Sequence, residues 1–341
     1  MNRQIQHLKP DEAGTVISRW WANPASRAVC ALVLVLVLGC VFHADGAFFK
    51  AGTHRDALRQ ASVFGILACG MTLVIVSGGI DLAVGSVLAL VAVTFSLMSI
   101  QWGWSPWLAV PACLLFGALS GGVAGGITAW FRIQPFIATL AMMVFARGLA
   151  KTISGGMKVS TAVKNPDGSY RYVDVPGVFR FIDNRILGDN LTMVTVIFLV
   201  CAAVTWVILA RHRWGRELYA VGGNEEAARL SGVPVRLTKT LAYAASGALA
   251  AMAGLCQAAQ EQQGDPEAGV GYELTAIAIV VIGGTPLTGG RGGIGLTLLG
   301  TFTIGYLEKV LSINAVPEAS RLMLTGAIIV LAVLTQRRRR G

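Results

Sequence analysis

LTMVTVIFLVCAAVTWVILA, residues 191–210, holds no charged side chain, and GGNEEAARLSGV, residues 222–233, follows after eleven intervening residues. The first stretch has the roughly 20 apolar residues that a helix needs to cross a bilayer. The second is a short polar helix with both ends written into it. Asn224 is a good N-cap, because its side chain can accept from the free amides of the first turn. Glu225 and Glu226 follow where the helix dipole favours negative charge, and Arg229 lies near the opposite end. Gly232 can take the left-handed conformation that closes a helix, and Pro234 forbids continuation. A chain built for lipid keeps a water-facing helix between two spans mainly where something soluble must push on it.

Composition extends that reading to the whole chain. Of 341 residues, 54% are hydrophobic and only 13% charged, against about 25% charged in soluble domains. Apolar stretches predict ten membrane spans, at 27–43, 57–77, 82–100, 106–130, 135–155, 191–210, 238–259, 272–288, 294–311 and 320–336. The fold class is therefore all-α and polytopic, with about ten transmembrane helices. The net charge of +10 could suggest nucleic acid, but Arg337, Arg338, Arg339 and Arg340 directly follow an apolar run and read as a topological anchor, so no nucleic-acid partner is expected. Cys30, Cys40, Cys69, Cys113, Cys201 and Cys256 all fall in apolar runs without metal-ligand spacing and read as small core hydrophobes. Membrane lipid is the expected surrounding.

An even span count puts both termini on one side, and basic residues choose it. With the N-terminus inside, the inner segments hold 16 Lys and Arg and the outer ones 10, which favours cytoplasmic termini. No cleavable signal peptide is evident in the polar segment 1–26, where Trp20 and Trp21 suit an interface. The expected organisation is a cytoplasmic segment 1–26, one membrane domain 27–336 and a basic cytoplasmic tail 337–341. Within the domain, the loop 211–237 lies inside. The acidic loop 260–271 and the long loop 156–190 lie outside. Pro166, Asp167, Gly168 and Pro176 give the long loop a turn at its start and argue against a separate domain.

Small residues mark the packing. Gly117, Gly121 and Gly125 line one face of the fourth span, and Gly247, Ala250 or Ala251, Gly254 and Ala258 one face of the seventh. Such stripes let helix backbones approach closely in lipid; they read as static seams or as a moving one. An internal echo also exists. Gly78-Gly79-x-x-Leu82-x-x-Gly85 matches Gly283-Gly284-x-x-Leu287-x-x-Gly290 at a shift of 205 residues, and transporters often carry repeats with interrupted helices in corresponding places.

Ionisable groups inside the apolar segments are scarce. Asp81 follows the paired glycines Gly78 and Gly79, and reads either as a cap of the third span or as part of a backbone break lining a translocation path. Arg147 lies ~18 Å along the fifth span from Pro135. A charge at that depth must be paired, snorkelled or functional. Phe136 and Thr139 on the same span could face the path. Glu273 and Glu308 read as interfacial. Enzyme signatures are missing: the chain has no Gly-x-x-x-x-Gly-Lys-Ser/Thr phosphate loop and no His-Glu-x-x-His, and its four histidines lie outside the spans or, as His43, at the very end of one. No catalytic residue, metal site or cofactor is expected.

Four stretches together carry a resemblance: GMTLVIVSGGIDLAVGS at 70–86, RIQPFIATLAMMVFARG at 132–148, GRELYAVGGNEEAARLSGV at 215–233 and YELTAIAIVVIGGTPLTGGRGG at 272–293. In this order they resemble the permease subunits of bacterial ABC importers for monosaccharides, the ribose, xylose and galactose group. The resemblance implies a ten-span fold like that of the cobalamin importer, in the bacterial inner membrane. It implies a second permease copy or a paralogue, two cytoplasmic ATP-binding subunits or a tandem one, and a periplasmic binding protein that delivers the sugar. The loop between spans six and seven would hold the helix that couples to the ATPase. That role falls here on Glu217, Gly222, Gly223, Asn224, Glu225, Ala228, Arg229, Ser231 and Gly232. The path would be sought at Gly78, Gly79, Asp81, Phe136, Thr139, Arg147, Gly283 and Gly284. Related permeases carry inositol, autoinducer furanose, nucleosides or branched-chain amino acids; an ion-coupled secondary carrier is the alternative from another class.

Overall fold

The computed structural model describes residues 23–336 apart from 165, 166 and 168, with backbone alone at 164, 329 and 331–336. Trp20, Trp21, most of the segment 1–26, Pro166, Gly168 and the terminal arginines lie outside the described residues. Among the described residues, ten helices lie along the expected spans: α1 Pro24–Val41, α2 Ala51–Val76, α3 Val84–Ser96, α4 Pro106–Trp130, α5 Pro135–Ser154, α7 Met193–Arg211, α10 Val235–Glu261, α11 Tyr272–Gly283, α12 Ile294–Ile313 and α13 Glu318–Gln336. A π-helical stretch, Leu97–Gln101, prolongs α3. Among the described residues, eight helices are long and apolar enough to cross a membrane: α1, α2, α3 with its extension, α4, α5, α7, α10 and α12. The chain is thus a mostly helical, multi-pass membrane protein.

One expectation needs correction in detail. The eighth span, expected over 272–288, is a helix of only 12 residues, ~18 Å long and too short to cross alone. It begins after Gly271 and ends before Gly284, both in the left-handed region. The loop 156–190, expected only to begin with a turn and not to form a domain, contains short elements. It holds a hairpin of β1 Ala162–Lys164 with β2 Tyr170–Tyr172, the helix α6 Gly177–Ile182, and β3 Arg185–Ile186, which pairs with β4 Leu191–Thr192.

The loop 211–237 carries two helices where the sequence reading expects one, α8 Arg213–Gly223 and α9 Glu225–Leu230. They mark what is called here the near end of the bundle. The far end carries the loop 156–190 and the C-terminus of α10.

α2, α3 and α10 form the buried centre. The two glycine stripes face each other. A Cβ on Gly121 would stand 2.1 Å from the Tyr243 carbonyl oxygen, and one on Gly247 2.1 Å from that of Gly117, so α4 and α10 meet backbone to backbone. Farther along the same stripe α10 packs on α3, with Gly254 against the Leu88 carbonyl.

Two non-helical segments enter this centre from opposite ends. Residues 77–83 leave α2 at the near end and turn back inward to start α3. Residues 262–271 leave α10 at the far end and turn inward to start α11. The second reaches the start of α3, just after the first, where Gly269 packs against the backbone of Gly85 with the Glu273 carboxylate alongside. Irregular backbone is tolerated at such depth only where protein or a water-filled cavity surrounds it, and this contact supplies protein.

Candidate functional site

The near end builds the first part of the site. Asn224 caps α9 as its sequence predicts: its Oδ1 accepts from the Ala227 amide at 3.0 Å. Gly232, at φ +82°, closes the helix, with its amide donating to the Arg229 carbonyl and that of Val233 to Ala228, both at 3.0 Å. Glu226 pairs with Arg229 on the exposed face. Glu225 accepts from Lys239 Nζ at 2.5 Å, which ties α9 to the start of α10. Ala228 points inward and is buried with Val221 and Val235. Leu230, unremarked in the sequence reading, is 81% exposed at the tip of α9. Beside α9 lies a cleft of about 730 Å³ walled by Trp130, Arg132, Arg229, Arg236 and Lys239. The Arg236 guanidinium stands 5.2 Å over the Trp130 ring.

The other coupling candidates sit on α8. Glu217 accepts from Arg213 Nε at 2.9 Å and from Thr238 Oγ1 at 3.3 Å, which fixes α8 against α10. Tyr219 donates its hydroxyl to the Gly292 carbonyl at 3.0 Å. Burial pushes its phenol above the ordinary range, so it stays a donor at any working pH.

Gly222 is wedged into the bundle. A Cβ there would lie 1.9 Å from the Val76 carbonyl oxygen and 2.6 Å from the Gly290 amide. That amide donates to the same Val76 carbonyl at 2.9 Å. A Cβ on Gly290 would in turn lie 2.7 Å from the Gly223 Cα, and one on Gly289 2.8 Å from the Gly78 nitrogen. Three strands of backbone therefore touch: the end of α8, the end of α2 with Gly78, and the loop 284–293.

The path candidates fall into separate groups. Gly78, at φ +81°, stops α2. Asp81 is 2% exposed; its Oδ1 accepts from the Ala83 amide at 3.0 Å and its Oδ2 from Ser246 Oγ at 2.8 Å. It makes a turn before α3, whose N-cap is Ala83, and a bond to α10. Thr139 is buried beside this break, donating to the Pro135 carbonyl at 2.9 Å and reaching the Ile80 carbonyl at 3.4 Å. Gly79, Asp81 and Thr139 thus come together. Phe136 faces outward on α5. Arg147 lies farther along and donates from Nη1 to the carbonyls of Pro266 and Ala268, at 2.6 and 2.7 Å. It clamps the inward loop 262–271, a partner that its sequence neighbourhood does not reveal. Gly283 packs on α12 and Gly284, at φ +108°, on Pro24. The echo between the halves keeps the helix stop but not the restart: Gly85 is helical in α3, whereas Gly290 stays in the loop at φ +72°. Among the described residues, no cluster of His, Cys, Asp or Glu could hold a metal ion.

The family described as "branched-chain amino acid transport system / permease component" matches residues 55–333. Ribose import permease protein RbsC of Escherichia coli (strain K12) is 39% identical, over 94% of this chain and 95% of that protein. Fructose import permease protein FruG of Bifidobacterium longum is 35% identical, over 92% and 90%. Xylose transport system permease protein XylH of Escherichia coli (strain K12) is 31% identical, over 89% of each. No solved structure matches the chain.

Proposed function

The chain belongs to the branched-chain amino acid transport system / permease component family, and on that premise we propose that it is the membrane-spanning permease subunit of an ATP-driven importer for a monosaccharide. The sugar class follows the relatives, whose names specify ribose, fructose and xylose. ATP is hydrolysed by a separate subunit docked on α9, a binding protein delivers the sugar from the opposite side, and a second permease completes the path. The protein sits in the inner membrane with ten spans, a cobalamin-importer-like arrangement, cytoplasmic termini and the near end in the cytoplasm.

The observation that carries the coupling reading is the near-end geometry. α9 offers a small charged face with Leu230 at its tip, and α8 joins it to the backbone junction at Val76, Gly222 and Gly290. A push on α9 therefore reaches the ends of both α2 and α8 and the loop before α12. A partner can bias such an element only by binding its two states with different affinity. The path runs by the break at Gly78, Gly79, Asp81 and Thr139, with Gly283 and Gly284 at the corresponding stop; Arg147 holds the loop that reaches the start of α3 just after it, and Phe136 faces the second permease.

The test is uptake of labelled ribose, xylose and fructose by vesicles holding the permease with its ATPase and binding protein. Uptake of at least one sugar should require ATP and survive a proton ionophore. Leu230→Asp leaves an exposed side chain exposed, so the protein should insert and fold, while uptake and ATPase pull-down both fail. Full uptake by that variant, or uptake driven by an ion gradient without ATP, overturns the proposal.

A further inference from the structure

A second cavity, of about 350 Å³, opens at the far end between α2, α10, α12 and α13. Its walls at Gln257–Glu261 lie ~33 Å along α10 from the near end. Its size falls within the roughly 300–1,000 Å³ typical of small-molecule sites. We infer that this pocket binds the free monosaccharide within one permease copy; the inference rests on the proposed sugar-import function and gives it a site.

The lining carries the chemistry of a neutral polyol. Gln60, Gln257 and Gln260 supply amides, each with donors and an acceptor. Both arginines in the walls are paired, Arg59 with Asp183 at 2.6 Å and Arg321 with Glu308 at 3.5 Å, and Glu261 accepts from the neutral amide of Gln257. An amino acid would have to break an arginine pair to place its carboxylate, whereas a hydroxyl can add to it. One donor is left over, since Arg321 Nε is buried and makes no hydrogen bond among the described residues. A buried donor without a partner is costly, and a sugar oxygen would satisfy it. Phe64 and Tyr272 add an apolar ring surface, packed edge to face at 4.7 Å between centroids, of the kind that the C–H faces of a sugar ring cover. Tyr272 is also the first residue of α11, so the pocket ends where the inward loop 262–271 delivers the chain to its short helix.

The test is ligand-observed saturation-transfer NMR on the full chain in lipid nanodiscs, with ribose, xylose, fructose and leucine as separate probes. At least one sugar should receive saturation and leucine none. Gln257→Leu and Gln60→Leu keep the side-chain bulk but remove the amide, and each should weaken that sugar by roughly tenfold or more. Gln60 is exposed, so this variant folds even if the other does not, and circular dichroism checks both. No saturation of any sugar, saturation of leucine instead, or equal sugar affinity in wild type and a folded variant overturns the inference. Uptake by the complete importer separates the two levels: sugar uptake with KM unchanged in both variants sinks the pocket alone, and absence of uptake of all three sugars sinks the import reading with it.

Discussion

A methyl group on Gly222 would collide with the Val76 carbonyl at 1.9 Å, yet one on its neighbour Gly223 would meet nothing within 4 Å. Two adjacent glycines of one motif thus face opposite constraints, and this is where the residue scale can be tested. Gly222→Ala should destabilise by about 1–3 kcal/mol through overpacking, seen as a lower melting temperature, and should impair ATP-driven uptake. Gly223→Ala should be neutral or slightly stabilising. Equal melting temperatures for the two would remove the junction from the account. The sequence marks both glycines but cannot tell them apart, because the atoms that decide lie on α2 and in the loop 284–293. The same limit applies to Asp81. Its paired glycines announce a helix stop, but its partner Ser246 is 165 positions away. Arg147 shows it again: the loop that it holds is acidic, but the carbonyls of Pro266 and Ala268 that accept from it are backbone atoms that no sequence pattern singles out.

At the element scale, the ends of helices were legible and their relations less so. Asn224, the first-turn acids and Gly232 define α9 from local chemistry alone, and the structure places its ends there. α8 was missed although Trp214, Leu218 and Val221 fall at helical spacing; a span-by-span reading treats such a segment as connector. α11 was read too long because its apolar character continues through Pro286 and Leu287, past the left-handed Gly284 that stops the helix. The acidic loop 260–271 is expected outside, and nothing in its sequence announces that residues 262–271 turn inward. Its inward course is held by Arg147, and hydrogen bonds to charged groups contribute about 1.5–3 kcal/mol each. Arg147→Met should therefore free this loop, lower the melting temperature and raise amide exchange at 266–271. Arg147→Lys, which keeps one donor head, should fall between. Unchanged exchange in Arg147→Met would show that the loop is held by its packing on Gly85 instead.

Across the whole molecule, two irregular segments enter from opposite ends, the second reaching Gly85 just after the first, and the near-end junction grips the first at its root. Force applied at α9 thus has a short mechanical route to the buried centre, through backbone packed too tightly to absorb it. The far-end pocket lies beyond that centre, on the side from which solute arrives in the proposed orientation. Everything in this account requires α9 to face the compartment that holds ATP. The direct measurement is the reactivity of Leu230→Cys toward a membrane-impermeant maleimide, compared with the parent protein, in inside-out and right-side-out vesicles. Labelling in inside-out vesicles, blocked when the ATPase subunit is bound, is the expected result. Labelling confined to right-side-out vesicles would place α9 outside and contradict the account.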